Sequence, residues 1–105
     1  MLQLKVKNKK TYKLKKRTII TDSEGGKYPD FAEPIEINAN IYPASGKLEA
    51  EIYGERLSYM LNMLYDESEE IAEGDRVIYD NSNYKVISIK KYSHHKLITL
   101  EKEHG

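Results

Sequence analysis

The sequence lacks cysteine and tryptophan and contains a single phenylalanine. Without cysteine it has no disulfide framework, no thiolate nucleophile and no Cys-based zinc site. Its longest apolar stretch is far shorter than the ~20 residues that a membrane helix needs. The basic N-terminus is not followed by the apolar segment of a secretory signal. We therefore expect a soluble chain of the cytoplasmic type that does not interact with a membrane.

Histidine is also scarce, and His94 and His95 are the only adjacent pair. A metal site would need a third ligand nearby, for example Glu101 or His104. Because neighbouring residues in a strand or turn point apart, such a pair rarely chelates one ion. The sequence predicts a solvated turn here and no metal-binding residues.

No catalytic constellation stands out either. Carboxylate pairs such as Glu49/Glu51 and Glu69/Glu70 fall in loops and on polar faces, whereas glycosidase-type catalysis needs two carboxyl groups in a dry cleft with separated pKa values. There is also no phosphate-cradling glycine loop. We expect no catalytic residues, no cofactor and no enzymatic activity, and interpret the chain as a binding or assembly module.

The composition fits one small domain with a modest core. The chain has 105 residues, of which 39% are apolar and 32% charged, and its mean hydropathy is −0.72. Nine tyrosines supply nearly all the aromatic surface. A phenol buries its ring while its hydroxyl stays solvated or bonded, so this usage indicates a thin β structure or an interface. Ordinary cross-strand pairing is the simpler explanation, and it is the one we favour.

Charge is segregated along the chain although its net value is zero. Residues 1–21 contain eight Lys or Arg and no acidic residue, whereas residues 22–75 contain fourteen Asp or Glu and three Lys or Arg. This arrangement would let the basic segment of one copy attract the acidic flank of another copy or protein. A solvated basic arm is the alternative.

The first half of the chain predicts two strands separated by a long loop. β-Branched residues favour a strand over 15–21, and Asp22–Pro34 has the Gly, Pro and Asp content of a mobile loop. Apolar residues alternate with polar ones from Ile35 to Ile41, which is typical of a strand with one face on a core. The basic residues 1–14 are expected to precede the domain as a flexible segment.

The pattern changes at Pro43–Gly46, where a short exposed helix over Lys47–Arg56 is predicted. Ser45 is positioned to cap its start and Gly54 to end it. Leu57–Tyr65 fits both a helical stripe and a period-two alternation. We favour the strand because five apolar positions alternate in a row.

The remaining sequence predicts a β-meander. Strands are expected over 76–80, 84–92 and 97–101, separated by an Asn/Ser turn and by Ser93–Lys96. Together these elements indicate a mainly β fold with one short α-helix. We predict a small barrel of five or six antiparallel strands over residues 15–102, with a long loop.

The order of these elements resembles that of a known family. It runs from Ile41-Tyr42-Pro43 through Ser45-Gly46-Lys47-Leu48-Glu49-Ala50-Glu51-Ile52-Tyr53-Gly54-Glu55-Arg56-Leu57 to Glu73-Gly74-Asp75 and Tyr84-Lys85-Val86-Ile87-Ser88-Ile89. This is similar to the head–tail connector proteins of tailed bacteriophages and defective prophages, and most similar to the head-closure or stopper group of Bacillus-type phage-like elements. The likeness covers roughly residues 16–102.

The resemblance implies a structural protein of a virion, made in the bacterial cytoplasm. It implies a monomer that assembles as a ring below the portal and adaptor, closes the DNA channel and offers a docking surface to the tail. The loop at 22–34 would gate the channel or form the ring. The interaction residues expected on this basis are Lys15, Lys16, Arg17, Gly25, Gly26, Lys27, Tyr28, Glu49, Tyr53 and Arg56.

The alternative function is a small β-barrel that binds nucleic acid. The run Lys5–Arg17 provides cations for phosphates, and Tyr12 within it provides one aromatic ring for stacking. Because DNA passes through a connector, non-specific contact with DNA is compatible with both functions.

Overall fold

The computed structural model describes residues 6–103, and it is a closed antiparallel β-barrel with a projecting hairpin and one short helix. This confirms the predicted fold class. The strands are β1 (Lys10–Lys15), β2 (Arg17–Thr21), β3 (Lys27–Phe31), β4 (Ile35–Pro43), β5 (Met60–Tyr65), β6 (Arg76–Tyr79), β7 (Ser82–Lys91) and β8 (Lys96–Lys102). Helix α1 spans Lys47–Tyr53 and continues into a 3-10 helix over Gly54–Tyr59.

Six strands form the barrel in the order β1-β4-β5-β8-β7-β6, and β6 closes it by pairing with β1. Closure leaves no barrel edge exposed for aggregation. In each strand, alternate side chains point inward, as the pleat requires. The buried core consists of Leu14, Ile37, Ala39, Ile41, Leu61, Met63, Tyr65, Ile71, Val77, Val86, Ile98 and Leu100.

The start of the domain differs from the prediction. A single first strand over 15–21 was expected, but the chain breaks at Lys16 into β1, a barrel strand, and β2, which leaves the barrel. Residues 10–14 therefore belong to the barrel, where Leu14 is fully buried. Lys13 and Lys15 alternate with the inward-facing Tyr12 and Leu14, and Lys13 lies opposite Glu36 of β4. Residues 1–5 of the predicted basic segment lie outside the described residues.

The prediction of a long mobile loop over 22–34 is wrong, because β3 occupies five of these residues and pairs with β2 as a two-stranded sheet. Pro29 does not prevent this pairing. Backbone hydrogen bonds join Lys16 to Ala32 and Asp22 to Gly26. Because hydrogen-bonded and non-hydrogen-bonded pairs alternate along an antiparallel ladder, these two bonds determine the type of every pair between them. Pro29 thus falls in a non-hydrogen-bonded pair with Ile19, where its missing N–H would point outward.

The helix is shorter than predicted, and Gly54 ends it as expected, with a φ of 57°. Ser45 does not cap it. Gly46 holds the N-cap position with a φ of 134°, and no side chain caps the first turn. The strand predicted over 57–65 begins only at Met60, because the 3-10 helix takes residues 57–59.

The terminal meander follows the prediction closely. β6 and β7 form a hairpin through Asp80 and Asn81, whose φ values of 48° and 60° fit the type I′ turn that suits a twisted two-residue connection. A bulge between Val86 and Ser88 bends β7 against β8. No helix within residues 6–103 is long and apolar enough to cross a membrane.

Candidate assembly surfaces

The β2–β3 hairpin, residues 17–31, projects from the barrel and is called the arm below. The protein measures 53 × 38 × 23 Å with a radius of gyration of 15.2 Å, compared with about 13 Å for a compact chain of this length. An isolated two-stranded hairpin is at best marginally stable in water. The arm therefore depends on its root, or on a partner, for its order.

Asp75 anchors the root of the arm to the barrel. Its carboxylate is 2% exposed and accepts hydrogen bonds from the backbone N–H of Arg17 (2.8 Å) and of Ala72 (2.9 Å). The Lys16 ammonium lies 3.5 Å from the same carboxylate and donates to the Glu70 carbonyl. One buried side chain thus joins the start of β2 to the loop that precedes β6.

Phe31 holds the other strand of the arm at the root. The Arg76 guanidinium lies over its ring, 4.9 Å from the centroid, in a cation–π contact. The Ala32 N–H donates to the Lys16 carbonyl at 2.9 Å. The arm is therefore fixed at its base on the β1/β6 side of the barrel.

Beyond the root, both faces of the arm carry apolar pairs. Ile19 lies opposite Pro29 on one face, and Ile20 lies opposite Tyr28 on the other. Ile19 is 62% exposed and Tyr28 is 44% exposed. Exposed apolar residues on both faces of a two-stranded sheet are typical of a segment that a partner covers.

The tip of the arm is a turn organised by Asp22. Its Oδ1 accepts from the N–H groups of Glu24 (2.9 Å) and Gly26 (2.7 Å). Gly25 has a φ of 85°, and a Cβ at Gly26 would lie 2.7 Å from Asp22 Oδ2. Both glycines are therefore required by the geometry of the tip, and Lys27 begins the returning strand.

The second surface is a groove between α1 and the outer face of the barrel, called the groove below. It encloses about 290 Å³. Asn62 and Thr99, which are almost completely buried, lie on adjacent strands β5 and β8 beneath it. None of the seven residues of α1 is buried, and Leu48 and Ile52 line the groove while being 69% and 63% exposed.

The expected residues Glu49, Tyr53 and Arg56 all lie at this helix. Glu49 places both carboxylate oxygens 3.5 Å from the Asn62 amide nitrogen. Arg56 forms a bidentate pair with Glu101 at 2.7 and 2.8 Å and lies 5.6 Å from the Tyr53 ring centroid. These contacts attach α1 to the barrel while its apolar side chains stay exposed.

Some of the basic N-terminal residues form ion pairs with acidic residues of the same chain. Lys16 faces Asp75, and Lys9 forms an ion pair with Asp66 at 2.6 Å. Burial raises the pKa of Asp66, but the bonds from Lys9 and from the Val6 N–H outweigh it and hold that pKa below its usual value. Lys15 approaches the Asn83 side chain at 3.5 Å. These cations lie in the barrel wall and root rather than in the arm.

Four of the nine tyrosines, Tyr12, Tyr65, Tyr79 and Tyr84, lie in the core or pack against it. Tyr79 packs against Tyr12 and Tyr84, with ring centroids 5.9 and 5.8 Å away. Tyr65 is 1% exposed and donates its hydroxyl to the Glu69 carbonyl at 2.9 Å. Burial, assisted by the charge of Glu67, raises its pKa to about 12. Tyr12 thus packs against the core, with its side chain on the face opposite that of Lys13.

The histidine turn packs against a neighbouring aromatic ring. His95 stacks on Tyr92 with 5.1 Å between ring centroids. No group of three His, Cys, Asp or Glu side chains that could hold a metal ion occurs among residues 6–103. His104, the third ligand considered from the sequence, lies outside that range.

The arm and groove contain residues that the sequence did not single out, above all Ile19, Leu48, Ile52 and Asp75. The i, i+4 spacing of Leu48 and Ile52 was visible, but that spacing is also typical of a helix packed on a core. Exposure on the outside of a barrel is a property of tertiary structure, and the sequence pattern contains no signal for it.

Comparison with known proteins identifies relatives in fold. No family model matches the chain, and no curated protein matches it by sequence. Protein SF1141 from Shigella flexneri 2a, solved in solution, is similar with a TM-score of 0.70 at 13% identity, over 88% of this chain and 89% of that protein. The phage-like element PBSX protein xkdH from Bacillus subtilis is similar with a TM-score of 0.60 at 12% identity, over 92% and 97%. At such identities the shared property is the fold.

Proposed function

We propose that this chain is a structural protein of a phage or prophage particle, specifically a head–tail connector. The observation that carries the proposal is the likeness to the PBSX protein xkdH along nearly the whole length of both chains. In this role the protein assembles as a ring below the portal and adaptor, closes the DNA channel and presents a docking surface to the tail. It acts in the virion, after synthesis in the bacterial cytoplasm.

The two surfaces support an assembly role over an enzymatic one. A projecting arm and an uncovered helix both expose apolar side chains, while the buried side chains of Asp75 and Tyr65 are hydrogen-bonded to the backbone. A module that must remain soluble until it meets its partner is expected to have a modest core and such surfaces. Contact with a neighbouring copy, or with the portal, adaptor or tail, would cover them.

Deletion of the gene in the bacterium that carries it tests this role. After induction of the prophage, we expect DNA-filled heads that lose their DNA and have no tails attached, with recovery when the gene is supplied from a plasmid. Normal tailed particles in the deletion strain would contradict the connector role. Neighbouring genes for a portal, capsid or tail protein would support it.

Nucleic-acid binding remains the second candidate because of the basic residues of β1. The packing of Tyr12 against Tyr79 weakens it, since a stacking platform needs a ring face open to a base. Two results together would favour this candidate over assembly. The purified protein would bind DNA with an affinity that falls steeply with salt, and particles would assemble normally in a strain that lacks the gene.

A further inference from the structure

The arm and the groove lie on opposite sides of the barrel. The arm is fixed beside β1 and β6 through Asp75 and Phe31, whereas the groove lies over β5 and β8. In the strand order β1-β4-β5-β8-β7-β6, the β5–β8 pair is diametrically opposite the β1–β6 pair. A head-to-tail contact needs two different patches on each copy, and it makes a closed ring when the rotation from one copy to the next closes. The arm and the groove are two such patches.

The two surfaces are also complementary in chemistry. The Ile19–Pro29 pair presents an exposed apolar face at the middle of the arm. The groove has Leu48 and Ile52 on its helix side and Leu97 on its barrel side. The groove encloses 290 Å³, the volume of about ten water molecules at about 30 Å³ each. This volume is larger than the side chains of Ile19 and Pro29 together.

The charges at the ends of these surfaces are opposite in sign. The arm ends in Asp22 and Glu24, both exposed, and the groove is flanked by the exposed cations Lys47 and Lys90. Ile19 and the tip are three strand residues apart, about 10 Å, and Ile52 and Lys47 are five helical residues apart, about 8 Å. With Ile19 beside Ile52 and the arm pointing toward the start of α1, the acidic tip lies near Lys47.

We infer that the arm of one copy docks in the groove of the next copy, with Ile19 against Leu48 and Ile52 and the acidic tip beside Lys47 and Lys90. This inference rests on the ring assembly proposed above and specifies the contact between subunits. It assigns the arm to subunit contact and gives α1 a partner for its exposed side chains.

Because the natural sequence has no cysteine, cross-linking can test the contact without background. We would mix full-length Ile19→Cys and Ile52→Cys proteins at about 1 mM, a concentration comparable with that inside an assembly, and add a short bismaleimide. A cross-linked dimer several-fold more abundant than from Ile19→Cys mixed with Ser93→Cys is expected. Ser93 is an exposed control in the β7–β8 turn. Equal yields from both mixtures, or dimers formed by Ile19→Cys alone, would overturn the docking.

A charge exchange tests the register independently. Glu24→Lys and Lys47→Glu should each lower the yield of the Ile19–Ile52 product several-fold, and the two together in one chain should restore it. Failure of the double variant to recover would contradict the placement of the tip. Asp22 is left unchanged here because it organises the turn.

Electron microscopy of portal-containing heads mixed with the same proteins separates this inference from the proposed function. Rings on the heads without an Ile19–Ile52 product would refute the docking and leave the connector role intact. The cross-linked product without binding to heads would refute the connector role and leave the docking as self-association.

Discussion

Replacing Asp75 should destabilise the whole fold, because this one carboxylate satisfies two backbone donors in a buried place. In Asp75→Ala, the N–H groups of Arg17 and Ala72 lose their acceptor and Lys16 loses its counter-charge. Each lost hydrogen bond to a charged group costs about 1.5–3 kcal/mol. We therefore expect a loss of about 3–5 kcal/mol, as for a broken buried ion pair. Asp75→Asn keeps one acceptor oxygen and should lose about half as much.

Urea unfolding followed by circular dichroism measures this loss, and Glu73→Ala provides the matched control. Glu73 is exposed in the same loop, so its replacement should change the free energy of unfolding by no more than about 0.5 kcal/mol. Hydrogen exchange should also show that the Arg17 amide loses protection in Asp75→Ala. An Asp75→Ala protein as stable as the Glu73→Ala control would refute the role given to this anchor.

Three further predictions concern pH and the arm. Because the pKa of Tyr65 is raised to about 12, its contribution to the free energy of unfolding is complete below about pH 10 and is lost as pH rises toward 12, by up to about 3 kcal/mol. Tyr65→Phe should therefore reduce the alkaline loss measured by urea unfolding, although Tyr12, Tyr42 and Tyr84, whose pKa values are also raised, keep part of it; an unchanged loss would contradict the assignment. The lowered pKa of Asp66 contributes stability that is lost as pH falls below about 4. Asp66→Asn should therefore reduce the difference in unfolding free energy between pH 7 and pH 3. An undiminished difference would argue against the Lys9 ion pair. Gly26→Ala should displace Asp22 and speed amide exchange at the arm tip while the barrel amides keep their protection; Ser23→Ala is the control, and equal exchange in the two variants would show that the tip does not need Gly26.

The barrel was predictable where one face of a strand is clearly apolar. Ile35, Ile37 and Ile41 alternate with polar residues because one side of β4 faces the core and the other faces solvent. The first barrel strand was missed because β1 places only two apolar residues, Tyr12 and Leu14, against the core, while Lys13 and Lys15 lie on the outer face. Such a strand is defined by its neighbours β4 and β6, which are distant in sequence.

The arm was missed for a different reason. The residues Gly25, Gly26 and Pro29 are typical of loops, and only the register of the hairpin shows that Pro29 occupies a position that needs no N–H donor. The helix was predicted, but its exposure was not. Whether Leu48 and Ile52 pack against a core or stay exposed depends on the orientation of α1 relative to the barrel. The chain around Pro43–Gly46 sets this orientation, and local sequence does not determine it.

Electron microscopy of portal-containing, tailless heads before and after addition of the purified chain tests the central claim most directly. If the protein is a connector, a ring of density should appear below the portal, and heads with that ring should retain their DNA and accept tails. Heads that show the same portal density with and without the chain would contradict the account.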